Sequence, residues 1–472
     1  MQNFASRRVA ETRPSYSKRV ADQHHFFESG ATRSYAFRVQ MLARLHAVIT
    51  QSEAAITEAL HTDLGKPAYE TFVGEIQQAL FEIDFLRRHL GQWMQAQPVR
   101  TPLLYWPGKS YRLFEPKGTA LVIAPWNYPF QLSINPIAGA IAAGNTAVLK
   151  PSELTPRTSA LLAKLIRDHF PPEFLTVVEG GPVETQALLD ENWDHIFFTG
   201  STAVGKIIAY RAAEHLTPVT LELGGKSPVI VDGTVSLAKA ARRIAWGKFF
   251  NAGQTCVAPD YVLVSEDRAD ALLEALKSSI TDFFGADAQN SADYGRIVNA
   301  RHVRRVAALL EGLNLYHGGK VDIDDRYIEP TLLKNPPLES AIMREEIFGP
   351  LLPVLTYKRR QDALDFIRSR PRPLALYVFT SDPSFRAAAI ESIPFGGGCV
   401  NDTLLHLSIP NLPFGGTGAA GYGQYHGFHS FCAFSHEKGI FEHSLAVDPA
   451  LRYPPYPRLS RWLRCLFNRT GH

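Results

Sequence analysis

The stretch Asn251-Ala252-Gly253-Gln254-Thr255-Cys256-Val257-Ala258-Pro259-Asp260 sets one cysteine among small and polar residues rather than core formers. A lone cysteine is more often a small buried hydrophobe than a nucleophile. Here the flanks argue the other way. Gly253 lets backbone approach a substrate closely, Gln254 and Thr255 are costly to bury without partners, and Pro259 fixes the following turn. The pattern predicts a Cys256 thiolate presented at a cleft. Glu222, in Thr220-Leu221-Glu222-Leu223, is a carboxylate inside an apolar strand pattern; burial would raise its pKa and ready it as a general base, unless it faces solvent. Asn127 stands in a run of Pro, Trp, Tyr and Phe, where its amide could donate to an oxyanion or simply shape the turn before Tyr128-Pro129.

The elements that must position these groups are legible in the periodicity. Apolar residues recur at helical spacing over 36–64, stopped by Gly65-Lys66-Pro67, and again over 71–93. Pro98, Pro102, Pro107 and Pro116 then mark an extended excursion from the main body. From Gly118 the chain alternates short β-branched runs with helical patterns, which predicts a parallel sheet built of βαβ units. Strands are expected at 120–124, 146–150, 175–178, 195–198 and 219–223. Helices are expected at 159–169 and 204–214. A second block follows the switch at Gly224-Gly225, with strands at 227–231 and 261–264 and helices at 237–250 and 269–284. The motifs fall at strand ends, where ligands of open α/β sheets bind. The Gly200 to Gly205 turn offers backbone N–H groups and a helix N-terminus to a diphosphate, although its GSTAVG pattern also suits an ordinary helix start. Lys150 and Glu153 at a second strand end suit ribose hydroxyls or a solvated helix start.

Composition narrows the class. The 472 residues predict two or three domains, and 45% hydrophobic with 20% charged residues describes a globular protein with a large core. The 49 basic and 46 acidic side chains leave a formal net charge of +3, so nothing calls for nucleic acid. Cys256, Cys399, Cys432 and Cys465 form no CxxC pair, which argues against zinc or a disulfide scaffold and for a reducing, cytoplasmic setting. His426 and His429 have no third partner at metal-ligand spacing. Cys432 reads as packed in an extended aromatic stretch. No apolar run is long enough to span a membrane. The first 20 residues, with Arg7, Arg8 and Arg13, read as a solvated extension rather than a signal peptide. In the tail, Leu459, Trp462, Leu463, Leu466 and Phe467 alternate with Arg458, Arg461 and Arg464 at helical spacing. That is a short basic amphipathic helix able to lie on a membrane surface or over a substrate entrance through residues 458–468, or to dock on a partner subunit.

Together, Leu221-Glu222-Leu223-Gly224-Gly225-Lys226-Ser227-Pro228, Gly253-Gln254-Thr255-Cys256, Pro125-Trp126-Asn127, Lys150-Pro151-Ser152-Glu153 and Glu345-Glu346-Ile347-Phe348-Gly349-Pro350 resemble the NAD(P)-dependent aldehyde dehydrogenase superfamily. The 34 residues from Glu222 to Cys256 agree with it. Leu412-Pro413-Phe414-Gly415-Gly416, Tyr425-His426-Gly427 and Phe434-Ser435-His436 resemble the class 3 branch, which includes fatty and aromatic aldehyde dehydrogenases. The resemblance implies an α/β chain with a Rossmann-like cofactor domain (21–96 and 116–222), an α/β catalytic domain (223–418), a small β bridging element (97–115 and 419–446) that joins a homodimer, and a tail (447–472). It implies NAD or NADP as cofactor, no metal and an aldehyde substrate. Cys256 becomes the nucleophile, Asn127 and the Cys256 N–H the oxyanion donors, and Glu222 the base that activates water. Gly200, Ser201 and Gly205 are expected at the diphosphate, Lys150 and Glu153 at the adenosine ribose, and Glu346 and Phe348 at the nicotinamide ribose and ring, with Trp126 and Leu223 lining the cofactor site. A thiol hydrolase would need a His beside Cys256 that no local motif supplies. CoA-acylating relatives commonly lack the Glu retained at 222, and a non-catalytic relative would have lost Cys256, Asn127 or Glu222.

Overall fold

The computed structural model describes residues 14–456, so the amphipathic tail pattern and Cys465 lie outside the described residues. The first helix, Ser17–Glu28, begins within the segment expected to be a solvated extension and buries Val20 and Gln23. The 36–64 pattern forms two helices rather than one. Ser34 caps Tyr35–Gln51 by accepting from the Phe37 N–H at 3.1 Å, and Ser52 separates it from Glu53–Leu64. Gly65 then ends the run with φ +58, the left-handed region that favours glycine. The next pattern runs from Ala68 to Trp93 but contains a widened π turn, Phe72–Ile76. Such turns cost regular hydrogen bonding and occur mostly where a helix must present particular side chains.

Two sheets follow: the first contains the five strands expected between 120 and 223, whereas in the second only Pro228–Val231 and Tyr261–Ser265 were expected from the sequence. The six-stranded sheet runs in spatial order Gly421–Tyr422, Val219–Glu222, His195–Thr199, Thr119–Ile123, Thr146–Lys150 and Leu175–Val177; only its first pair is antiparallel. The seven-stranded sheet runs Leu315–His317, Thr331–Lys334, Leu351–Tyr357, Tyr261–Ser265, Pro228–Val231, Ala375–Phe379 and Gly397–Val400, parallel after its first pair. Central strands such as Thr119–Ile123 and Pro228–Val231 are buried along their whole length, as sheets covered by helices on both faces require.

A separate antiparallel sheet joins Gln97–Val99, Lys109–Pro116 and Ser435–Glu442. It takes only the last part of the 419–446 span. Residues 421–422 pair instead with the strand carrying Glu222, and Phe428–Ala433 is a helix rather than the extended stretch expected around Cys432. The helix forms because Glu82 accepts from its leading backbone N–H, Gly427, at 2.9 and 3.0 Å and from the Ser430 hydroxyl at 2.6 Å. The partner that caps this helix is thus more than 300 residues away in sequence, beyond the reach of a local pattern. Among the described residues no helix is long and apolar enough to cross a membrane, and no group of three or more His, Cys, Asp or Glu residues could hold a metal ion.

Candidate active site

Cys256 follows a short turn, Phe250–Gly253, in which Asn251 and Ala252 take positive φ of 55 and 51. Left-handed backbone at non-glycine residues is costly and needs surrounding contacts to hold it. They are present. The Asn251 N–H donates to Glu70 Oε2 at 2.9 Å, and Asn251 Nδ2 donates to the carbonyls of Asn127 (2.9 Å) and Gln254 (3.1 Å). Gln254 is fully buried and fully occupied, donating to the Asn251 and Arg296 carbonyls and accepting from the Val298 N–H. Gly253 serves packing rather than substrate approach: a Cβ there would meet the Gly349 carbonyl oxygen at 2.4 Å. The cysteine loop is thereby pressed against the segment bearing Glu346 and Phe348.

That segment is held by charge. Asp260 pairs with Lys226 and accepts from the Ile347 N–H at 2.9 Å, while Lys226 also donates to the Ile342 and Glu345 carbonyls. Glu346 Oε1 is buried without a hydrogen-bond partner, and Gly224 passes so close that a Cβ would lie 2.0 Å from Glu346 Oε2. Phe348, at φ +47, packs edge-on against Trp126 with ring centroids 5.2 Å apart.

One cavity of about 740 Å³ brings Cys256, Asn127, Glu222, Trp126, Gly200, Ser201, Leu223, Glu346 and Phe348 to a common wall. Asn127 is buried, with Nδ2 donating to the Gln254 carbonyl at 3.1 Å. Glu222 is buried with both carboxylate oxygens unpartnered, and removal from water raises its pKa well above the ordinary carboxylate value. Burial pushes the Cys256 thiol up to about 12, reinforced by the Glu346 and Glu222 carboxylates and offset by the backbone N–H groups of Cys256 and Val257, which face the sulfur. Burial in the ligand-free cavity thus favours the protonated thiol, against the thiolate that addition requires.

Three predicted residues stand off this wall. Lys150, the last residue of Thr146–Lys150, pairs with Glu153 at 3.3 Å. Gly205 lies inside the helix Thr202–Glu214, where a Cβ would meet Leu223 Cδ2 at 2.6 Å; it allows close helix-to-strand packing. Other wall residues carry no local signal. His302 packs at a tilt against Trp126 with ring centroids 4.9 Å apart, and Arg305, one helical turn on, donates to the Ile347 carbonyl at 2.7 Å. An i, i+3 pair on a helix reads as ordinary surface until the fold brings it to a cleft.

A dinucleotide fits these residues. The strand His195–Thr199 delivers Gly200 and Ser201 to the N-terminus of a 13-residue helix, and Ser201 Oγ caps it by accepting from the Val204 N–H. The orphaned Thr199 hydroxyl and Glu346 Oε1, both on the wall, are polar groups awaiting hydrogen bonds from a ligand.

Comparison with known proteins decides the identity. Residues 9–440 match the aldehyde dehydrogenase family. The chain belongs to that family. This dehydrogenase is 49% identical to the 4,4'-diaponeurosporen-aldehyde dehydrogenase of Staphylococcus aureus (strain NCTC 8325 / PS 47), over 94% of this chain and 98% of that one. It is 46% identical to the dimeric NADP-preferring aldehyde dehydrogenase of Rattus norvegicus, over 94% and 98%. Among solved structures, the substrate-bound state of Staphylococcus aureus AldH superposes with a TM-score of 0.94 at 48% identity, covering 96% of this chain and 100% of that one. The relatives are class 3 aldehyde dehydrogenases, and the chain is an enzyme that oxidises an aldehyde to the acid with NAD or NADP.

Proposed function

We propose that the dehydrogenase acts on medium- or long-chain aliphatic or aromatic aldehydes through a Cys256 thiohemiacetal and thioester. The observation that carries this reading is the single cavity holding Cys256, Asn127, Glu222 and Glu346 together with Val73, Phe81, Leu132 and Trp246. The Cys256 sulfur attacks the aldehyde carbon, and its proton passes to cavity water. The new oxyanion is held by Asn127 Nδ2 and the Cys256 N–H, one such donor being worth about 3 kcal/mol of barrier. Gly200 and Ser201 hold the diphosphate, Glu346 and Phe348 the nicotinamide ribose and ring, and Trp126 and Leu223 line that site. Lys150 and Glu153 reach the adenosine ribose from the neighbouring strand end. Bound NAD or NADP supplies an acceptor for the hydride leaving the thiohemiacetal carbon. Glu222 then activates the water that hydrolyses the thioester.

The mouth favours apolar chains. Tyr69, Phe81 and Leu405 line the cavity and are 71%, 47% and 46% exposed, a set too apolar to face water without a purpose. The test is appearance of reduced cofactor across acetaldehyde, hexanal, decanal, hexadecanal and benzaldehyde, with NAD and then NADP. Catalytic efficiency rising with chain length supports the reading; a preference for acetaldehyde sinks it. A homodimer through the three-stranded sheet is part of the same proposal: Ser435–Glu442 is an edge strand whose Phe441 is exposed, open to a second copy. Division at Glu222 into cofactor and catalytic domains follows the two large sheets. The free Cys256, Cys399 and Cys432 fit a cytoplasmic setting. Truncation after Tyr456 tests membrane-surface contact by residues 458–468, since unchanged liposome binding would remove that role.

A further inference from the structure

Asn127 is held in place by a buried ion pair that does not face the reaction. Lys66 and Glu75 are both fully buried and bonded to each other. Lys66 Nζ also donates to the Asn127 carbonyl at 3.2 Å and lies 4.3 Å from the centroid of the Tyr128 ring. Glu75 Oε2 accepts from the backbone N–H groups of Phe130 and Gln131 at 3.0 and 2.9 Å, the leading donors of the helix Gln131–Ala143. One pair therefore holds both ends of the turn 127–131. The π turn makes this possible: Val73 and Gly74 reach the cavity wall while Glu75, in the same turn, points into the core.

Stability alone does not account for such a pair, because replacing a buried ion pair with apolar residues of similar volume is often neutral or better. What the pair supplies is direction. The Asn127 carbonyl accepts from Lys66 on one element and Asn251 on another, and the Asn127 amide donates one N–H to Gln254, two residues before the nucleophile. With its backbone and one N–H fixed, the side chain has a single N–H left for the cavity. We propose that Lys66 and Glu75 are positioning residues for the oxyanion donor Asn127, and that they set the rate of carbonyl addition at Cys256 without touching the substrate. The proposal rests on the assignment of Asn127 as that donor.

The test compares Asn127→Ala, Lys66→Arg, the neutral pair Lys66→Met with Glu75→Gln, and that pair combined with Asn127→Ala. Three quantities are read: the pre-steady-state burst of reduced cofactor with hexanal, the rate of Cys256 alkylation by iodoacetamide, and the melting temperature. Alkylation develops no oxyanion, so it separates donor placement from general damage to the loop. Asn127→Ala is expected to slow the burst about 100-fold or more. The neutral pair should slow it at least about tenfold, as misplacement of a catalytic group does, with alkylation unchanged. Lys66→Arg, which keeps Glu75 paired, should fall between it and the native enzyme, and it gives a second reading if the neutral pair fails to fold. Adding the neutral pair to Asn127→Ala should cost nothing more. A native burst in both Lys66 variants overturns the proposal, as do losses that multiply with the Asn127→Ala loss or alkylation that falls in step with the burst. A native burst in Asn127→Ala alone instead removes the oxyanion assignment, a distinct result.

Discussion

Cys256 and Glu222 both hold their protons more tightly than free side chains do, and each does so chiefly because the cavity removes it from water. The proposed chemistry needs both deprotonated. With both values raised, the active fraction grows as pH rises, so kcat should climb across the alkaline side of neutrality. Glu222→Gln should lose about 100-fold or more in kcat while keeping the first burst of reduced cofactor, since only thioester hydrolysis needs the base. Stopped-flow kinetics would show it, and an unchanged kcat would remove Glu222 from the mechanism. Glu346 makes a second, separable prediction. Its carboxyl is raised to about 8 by burial, and its charge is the largest electrostatic influence holding the thiol up. Glu346→Gln should therefore move the pH profile of Cys256 alkylation to lower pH. A profile that stays in place would mean that burial alone sets the thiol.

The turns that deliver these residues depend on two other buried carboxylates. Glu70 accepts from the Asn251 N–H and Glu82 from Gly427, and burial raises each to about 7 from 4.5. A carboxyl raised in the folded state binds its proton more tightly there than when unfolded. The stability it contributes is full below about pH 4.5 and is lost as pH rises through about 7. Between about pH 5 and pH 8 these two carboxyls should lower the melting temperature, and Glu82→Gln should remove its share of that slope; a curve that Glu82→Gln leaves unaltered would contradict the assignment. Glu82→Ala should cost about 3 kcal/mol by leaving Gly427 and Ser430 donors without an acceptor, measurable by chemical denaturation. At this scale the sequence was most legible where information is local. The strand 146–150 and helix 269–284 were read to the residue because β-branched runs and apolar periodicity mark them. Glu222 was legible because a carboxylate in an apolar strand is anomalous in its own neighbourhood. Lys66 was not: after a terminating glycine it reads as a solvated lysine, and only Glu75, reached through the π turn, buries it. His302 and Arg305 were silent for the same reason, since the fold alone brings their helix to Trp126.

Across the whole molecule, the residues proposed to be catalytic occupy the junction of the two large sheets. Glu222 ends a strand of one, and the Cys256 loop leads into Tyr261–Ser265 of the other. The cavity between them has an apolar mouth, and its bore is set in part by Gly74, where a Cβ would lie 3.1 Å from the Phe250 ring. Gly74→Leu should lower kcat/KM for decanal more than for acetaldehyde, and equal losses for both would place the chain elsewhere. The sheet containing Ser435–Glu442 predicts a dimer in light scattering; a monomer at micromolar concentration would contradict that arrangement. The account stands most directly on the identity of the covalent intermediate. Glu222→Gln mixed with NAD and decanal, quenched in acid and read by intact and peptide mass spectrometry, should carry one decanoyl group on the peptide containing Cys256. Reduced cofactor formed with no acyl adduct, or an adduct on Cys399 instead, would contradict it.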